Sequence, residues 1–347
     1  MSRKISLRPV GTTGLSVTEL GFGGAPLGNL YEPMTDSAAR DTVGAAIDAG
    51  IAYFDTAPYY GFGLSERRLG DVLRDDASLV VSTKVGRLLQ ADARRHGSGL
   101  RHGFYSPLPF EPVFDYSYDG VMRSWEASQQ RLGLARIDIL LVHDIGRLTQ
   151  GTNHDATFRQ LTAGGGFRAL ERLRADAAIQ AFGLGVNEIE ICLEAMNHAR
   201  LDVILLAGRY TLLEQGALDA LLPACARSGT SIIVGGPYNS GILATGTRQG
   251  GPLHYNYEPA PAAVIERVRR LEAYCDRYRV PLAAAALQFP LAHPQITSVI
   301  PGLASRQQIE RTLALYETTL PAELWQELKH DGLVRAEAPV PPLAVSA

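Results

Sequence analysis

The sequence predicts a closed eight-stranded α/β barrel. Short apolar runs alternate with longer amphipathic stretches along nearly the whole chain, and eight of each can be counted. The runs are mostly continuous, without the in-and-out alternation of a half-exposed sheet, so each reads as a strand buried on both faces. Residues 7–17, with Gly11-Thr12-Thr13-Gly14 at their centre, read as a β-hairpin ahead of the first run, 18–23. Helix 37–49 leads to run 52–55, and helix 65–74 to run 79–84. Residues 86–117 then form an enlarged Gly-, Pro- and Arg-containing loop after the third strand, on the face where barrel active sites are built. Helix 120–132 leads to run 137–143, helix 167–176 to 180–185, helix 189–198 to 203–207, and helix 217–228 to 231–235. Helix 261–279, run 297–300 and helix 306–316 complete the set. Such an alternation folds as an open doubly wound sheet or as a (β/α)8 TIM barrel, and the count favours the barrel. One domain over 1–347 is expected, with a weakly ordered Ala/Pro/Val-rich tail at 337–347.

The 347 residues carry 33 Lys and Arg against 36 Asp and Glu, a formal net charge of −3, and 46% are hydrophobic. That composition builds a large core and offers no basic footprint for nucleic acid or an anionic membrane surface. A small-molecule partner is expected, with no nucleic acid and no membrane. The longest apolar runs, 203–207 and 282–287, fall far short of the ~20 residues of a membrane span. Met1-Ser2-Arg3-Lys4 leads into Ile5-Ser6-Leu7-Arg8-Pro9, not an apolar stretch, so a cytoplasmic location is expected. Cys192, Cys225 and Cys275 are widely spaced with no C-x-x-C, which disfavours a disulfide framework or a zinc ribbon. The eight histidines show no metal-ligand spacing and no G-x-S-x-G elbow occurs, so neither a metal-dependent nor a hydrolytic barrel is favoured.

Three strand runs end in an ionisable side chain: Asp55, Lys84 and His143. One such residue alone would be read as the start of a solvated loop. Three on adjacent strands place a carboxylate, an ammonium and an imidazole together on the catalytic face. Tyr60 lies five residues past Asp55, and Pro58 and Gly61 mark a tight loop able to fold it back over the strand ends. A free phenol titrates near ~10 and is a poor base at neutral pH. A Lys84 ammonium would stabilise the phenolate and keep Tyr60 partly ionised, Asp55 would hold Lys84, and His143 would orient the reacting oxygen. These four side chains suit the interconversion of carbonyl and alcohol.

At these residues the chain resembles the aldo-keto reductase family. The matching stretches are Gly50-Ile51-Ala52-Tyr53-Phe54-Asp55-Thr56-Ala57 with Tyr60, Ser65-Glu66-Arg67-Arg68-Leu69-Gly70, Ser82-Thr83-Lys84, Arg131-Leu132-Gly133-Leu134 through Asp138 to His143, and Ile300-Pro301-Gly302. The resemblance implies a TIM barrel that binds a nicotinamide dinucleotide without a Rossmann domain, and a catalytic tetrad of Tyr60, Lys84, Asp55 and His143.

Gly21-Phe22-Gly23-Gly24 follows a strand but opens no helix, so its glycines read as permitting close backbone approach, to cofactor or to neighbouring loops. Pro301-Gly302-Leu303-Ala304-Ser305 runs from the last strand into a helix and suits a phosphate, its rival reading being a plain connection with a Ser cap. Where members often carry Ser-Asn after strand five, this chain has Gly185-Val186-Asn187. The usual Gln after strand six falls at Ala207, and the ring-stacking Tyr falls at Gly235. Cofactor contacts are expected from Gly23, Asn187, Gly235, Pro237, Asn239, Ser240, Gly302, Ser305, Arg306 and Gln308. Leu303 and Ala304 stand where NADP-preferring relatives carry Lys or Arg, so NAD is expected; Arg306 keeps NADP possible.

The stretches 206–213, 284–290 and 114–117 resemble a subgroup of dehydrogenases acting on aldoses and on pyridoxal. Each substrate is largely a cyclic hemiacetal in water, and removing hydride from the hemiacetal carbon gives a lactone. The expectation is oxidation of an aldose such as L-fucose, L-galactose or D-arabinose. The alternatives are oxidation of pyridoxal to 4-pyridoxolactone, general aldehyde or ketone reduction, and a non-catalytic dinucleotide-binding regulator. Tyr31, Tyr59 and Phe114 are the expected substrate contacts, since aromatics stack on a sugar face and on a pyridine ring alike.

Overall fold

A computed structural model describes residues 5–95, 99–248 and 250–341. Its centre is a parallel eight-stranded sheet: β1 (Phe22–Gly23), β2 (Tyr53–Asp55), β3 (Val80–Val85), β4 (Ile139–His143), β5 (Ala181–Val186), β6 (Val203–Ala207), β7 (Ser231–Gly235) and β8 (Ile296–Ile300). The sheet closes on itself. Gly21 donates its N–H to the Val299 carbonyl at 3.0 Å, and Gly23 to the Pro301 carbonyl at 3.0 Å. The glycines serve that closure. A Cβ on Gly23 would lie 2.8 Å from the Pro301 oxygen, and one on Gly21 2.7 Å from side-chain atoms of Ile300 and Tyr53.

The continuous apolar runs have a direct physical reason. Residues of one parity, such as Val80, Ile139, Leu141, Val203 and Ile233, fill the barrel interior. Those of the other, such as Val81, Leu140, Val142 and Phe182, pack against the surrounding helices. Both faces of each strand are dry. The expected hairpin pairs Leu7–Pro9 with Ser16–Thr18 and presents Val10, Leu15 and Val17 to the interior cluster. It plugs the end of the barrel opposite the catalytic face. Strand pairing in 18–23 is correspondingly shorter than expected, because Ser16–Thr18 belongs to the hairpin and only Phe22–Gly23 to the barrel.

The barrel helices are α1 (Asp36–Asp48), α2 (Leu64–Leu73), α3 (Tyr118–Leu132), α4 (Gly166–Ala175), α5 (Glu190–Ala195), α6 (Leu221–Ser228), α7 (Ala262–Arg277) and α8 (Arg306–Glu317). Thr35, Ser117 and Ser305 cap α1, α3 and α8 with side-chain oxygens on first-turn N–H groups. Among the described residues five further α-helices break the strict alternation: Arg147–Gln150, His154–Leu161, Ile242–Thr245, Leu282–Gln288 and Ala322–His330. Leu282–Gln288 carries no polar stripe to give it away, Ala283 to Leu287 all being buried. The insertion after β3 is itself ordered: Arg87–Ala91 pairs antiparallel with Phe110–Phe114, and Leu100–Arg101 with Phe104–Tyr105. Residues 96–98 of it lie outside the described residues. The tail departs from expectation. Val334 and Ala338 are fully buried and Val340 packs on the core, so the chain is held as far as Pro341, while 342–347 lie outside the described residues.

Candidate functional site

Asp55 is the last residue of β2, Lys84 lies near the end of β3, and His143 ends β4, so three neighbouring strands deliver them to one place. Lys84 Nζ donates to Asp55 Oδ2 at 2.7 Å and to the Thr56 carbonyl at 2.9 Å. Asp55 Oδ1 accepts from Ser82 Oγ at 2.7 Å. Gly185 on β5 leaves the room that Lys84 fills, since a Cβ there would stand 3.2 Å from Lys84 Cε. Tyr60 is carried by the turn after β2, which is folded down by the close approach of Gly28: a Cβ on Gly28 would be 2.5 Å from the Tyr60 carbonyl carbon. Lys84 Nζ then lies 4.7 Å from the Tyr60 ring centroid. The Tyr60 and His143 rings meet edge to face, 6.0 Å apart.

Electrostatics assign the protonation states. Burial works against the Lys84 ammonium, but Asp55 and Tyr60 outweigh it and raise the lysine pKa, so Lys84 is charged. Tyr60 departs from the sequence expectation. Burial pushes its phenol up to about 12; Lys84 pulls it down without prevailing, and Asp55 adds to the rise. At pH 7 Tyr60 is a neutral phenol. His143 is held well below its ordinary value by burial and by the positive charges of Arg87 and Lys84, and is a neutral imidazole. Its Nδ1 is buried without a partner, and its Nε2 lies 3.4 Å from Asp144 Oδ2. An unpaired acceptor costs less than an unpaired donor there, so we place the ring proton on Nε2.

Tyr60 and Asp55 line one wall of a cleft of about 510 Å³ that runs from the end of β1 to α8. Among the residues expected at a cofactor, Gly23, Gly235, Pro237, Ser240, Gly302 and Gln308 line it. Four do not. Asn239 is buried and latches loops together, accepting from Thr211 Oγ1 at 2.6 Å and donating to the Gly208 carbonyl. Ser305 is the cap of α8, its rival reading. Arg306 is tied to Asp41 at 2.8 Å, outside the cleft. Asn187 follows β5 with its Oδ1 buried and unpartnered, an acceptor awaiting a donor.

Of the aromatics expected at a substrate, Tyr31 lines the cleft, whereas Tyr59 and Phe114 stack on Arg87, 3.9 and 5.1 Å from its guanidinium carbon. Sequence reasoning missed Tyr238, Tyr257 and Arg311 of the cleft wall, and the partly buried pair Arg87 and Asp144 beside His143. The last two were within reach of the strand-end logic: Asp144 directly follows His143, and Arg87 stands two residues past the end of β3.

The cleft and these side chains lie within the stretch, residues 19–330, that matches the aldo/keto reductase family profile. The chain is 47% identical to a pyridoxal 4-dehydrogenase of Microbacterium luteolum, over 94% of this chain and 97% of that one. It is 41% identical to a D-threo-aldose 1-dehydrogenase of a Pseudomonas species, over 92% and 96%. An aldo-keto reductase structure from Bacillus halodurans superimposes with a TM-score of 0.71 at 25% identity, covering 96% of this chain and 97% of that one. The chain belongs to the aldo/keto reductase family, oxidoreductases that interconvert alcohol and carbonyl groups with a nicotinamide cofactor.

Proposed function

We propose that the chain oxidises a cyclic hemiacetal to its lactone with a nicotinamide dinucleotide. The observation that carries this reading is the convergence of Lys84, Asp55 and His143 on Tyr60, which with Asp55 lines the 510 Å³ cleft. The residues fit the dinucleotide: the open floor at Gly235 and Gly236 admits a ring, and Gly302, Gln308 and Arg311 at the α8 end offer backbone and side-chain donors. A bound dinucleotide supplies the hydride acceptor. His143 donates from Nε2 to the reacting oxygen, and Tyr60, once its own proton has left to solvent, takes the proton from the hemiacetal hydroxyl as a phenolate. One C–H and one O–H bond break, the C=O of the lactone forms, and hydride and proton leave separately. NAD is the expected partner, because Leu303 is buried and Arg306 is engaged by Asp41.

Both similar curated proteins are named for substrates that are cyclic hemiacetals in water, pyridoxal and D-threo-aldoses. A second reading, aldehyde or ketone reduction, is favoured by one observation: the neutral Tyr60 phenol is an acid at pH 7. The test is absorbance at the reduced nicotinamide band, crossing NAD and NADP with L-fucose, L-galactose, D-arabinose and pyridoxal. A sugar signal assigns aldonolactone formation, and a pyridoxal signal assigns 4-pyridoxolactone formation. Consumption of reduced dinucleotide by aldehydes alone assigns the reductase, and no turnover in either direction overturns the proposal.

A further inference from the structure

Beside the four converging side chains lies a polar array that the reaction described above does not use. The Arg87 guanidinium is buried, with one Tyr59 face 3.9 Å from its carbon and Phe114 5.1 Å away. It donates through Nη2 to Asp144 Oδ2, and its Nε is buried without a partner. The Asp144 side chain stays 22% exposed and lies 3.4 Å from His143 Nε2, the nitrogen placed to meet the reacting oxygen. Its backbone is left-handed, φ 47°, unusual for a residue other than glycine. The chain holds it there with an N–H to the Gly185 carbonyl at 3.0 Å and a carbonyl that accepts from Gln150 Nε2 at 2.9 Å.

A partly buried ion pair and a left-handed backbone at a residue other than glycine both cost stability. The expense points to a ligand.

We propose that Arg87 and Asp144 form a specificity-determining subsite for a second hydroxyl of the substrate, one carried near the reacting carbon. The inference rests on the hemiacetal reading. With the reacting oxygen on His143 Nε2, the Asp144 carboxylate, 3.4 Å from that nitrogen, is within reach of a hydroxyl carried near the reacting carbon. The carboxylate accepts from that hydroxyl, and the guanidinium, with two aromatic rings against it, opposes the upward push of burial on the carboxylate and holds it in place. An aldose has such a hydroxyl at C2, on the carbon bonded to the reacting one, and pyridoxal has one at C3 of its ring, one bond further out. A simple aldehyde has none.

The experiment compares kcat/KM for a parent substrate and its deoxy analogue, L-fucose with 2-deoxy-L-fucose, or pyridoxal with 3-deoxypyridoxal, whichever parent the wild-type protein turns over. The wild type is expected to favour the parent roughly 10- to 100-fold, the range for one hydrogen bond to a charged group. Asp144→Asn is expected to bring that ratio below about threefold by losing rate on the parent alone. A purely structural pair would slow both substrates equally, and that result, or a wild type that does not discriminate, overturns the proposal. Should Asp144→Asn fail to fold, Arg87→Lys keeps the charge and changes the geometry: a reduced ratio supports the subsite, and an unchanged ratio overturns it. Wild-type turnover without discrimination defeats the subsite alone, whereas no turnover of either parent defeats the hemiacetal reading and the subsite together.

Discussion

Tyr60 is the residue whose state decides direction. Its phenol, raised to about 12, must lose a proton to act as a base, and the ionised fraction grows tenfold per pH unit below that value. Oxidation is therefore expected to accelerate with a log-rate slope near 1 between about pH 7 and 10, while reduction, which uses the neutral phenol, stays flat. His143 titrates well below 6.5 and adds no limb in that window. A plateau in oxidation below pH 9 would show that Lys84 prevails over burial after all. Tyr60→Phe, which keeps the ring and removes the proton carrier, is expected to abolish turnover while dinucleotide binding, read by fluorescence, changes little. Asp55, Lys84 and His143 were legible as polar residues at the ends of apolar runs, and Tyr60 as the aromatic of the turn marked by Pro58 and Gly61. The balance between the buried phenol and its lysine was not, because burial is a property of the packed loop and not of the residues that form it.

Helix α8 shows what periodicity decides at the scale of an element. Gln308, Arg311, Thr312 and Leu315 recur at helical spacing and line the cleft. Arg306, Ile309, Glu310 and Leu313 fall on another side, along a separate groove beside α1, where Arg306 meets Asp41. The helix and its Ser305 cap were readable in the sequence, yet proximity along the chain drew attention to Arg306 and away from Arg311. Arg306→Ala is expected to leave the Kd of NAD and of NADP within about twofold, its exposed ion pair being worth little. Arg311→Ala is expected to weaken dinucleotide binding about tenfold, as loss of a contact to a charged group does. Titration of both variants with each dinucleotide checks the pair, and a larger loss for Arg306→Ala would return the phosphate contact to the capping loop.

For the molecule as a whole, the barrel separates stability from chemistry. The hairpin residues Val10, Leu15 and Val17 seal the end opposite the cleft, packed on Tyr53, Ile139 and Val203. Leu15→Ala removes buried methyl groups and is expected to cost about 2–3 kcal/mol. It should lower Tm measurably while kcat/KM holds, because no residue of the hairpin reaches the strand ends that carry Asp55, Lys84 and His143. A parallel fall in activity would show the two ends to be coupled.

The order of elements, the hairpin, the closed barrel, the three strand-end side chains and the Tyr60 turn follow from the sequence by itself. Each is written in local pattern: continuous apolar runs for strands dry on both faces, glycines for backbone closure, and an ionisable residue where a run stops. Tertiary structure alone decided which neighbours those residues meet. It closed Arg87 on Asp144, engaged Arg306 with Asp41, turned Asn239 into a latch, and buried Tyr60 so that desolvation outweighs the pull of its neighbouring lysine. The physical reason is distance along the chain. These contacts join segments tens to hundreds of residues apart, and desolvation depends on everything packed around a group, which no local pattern encodes.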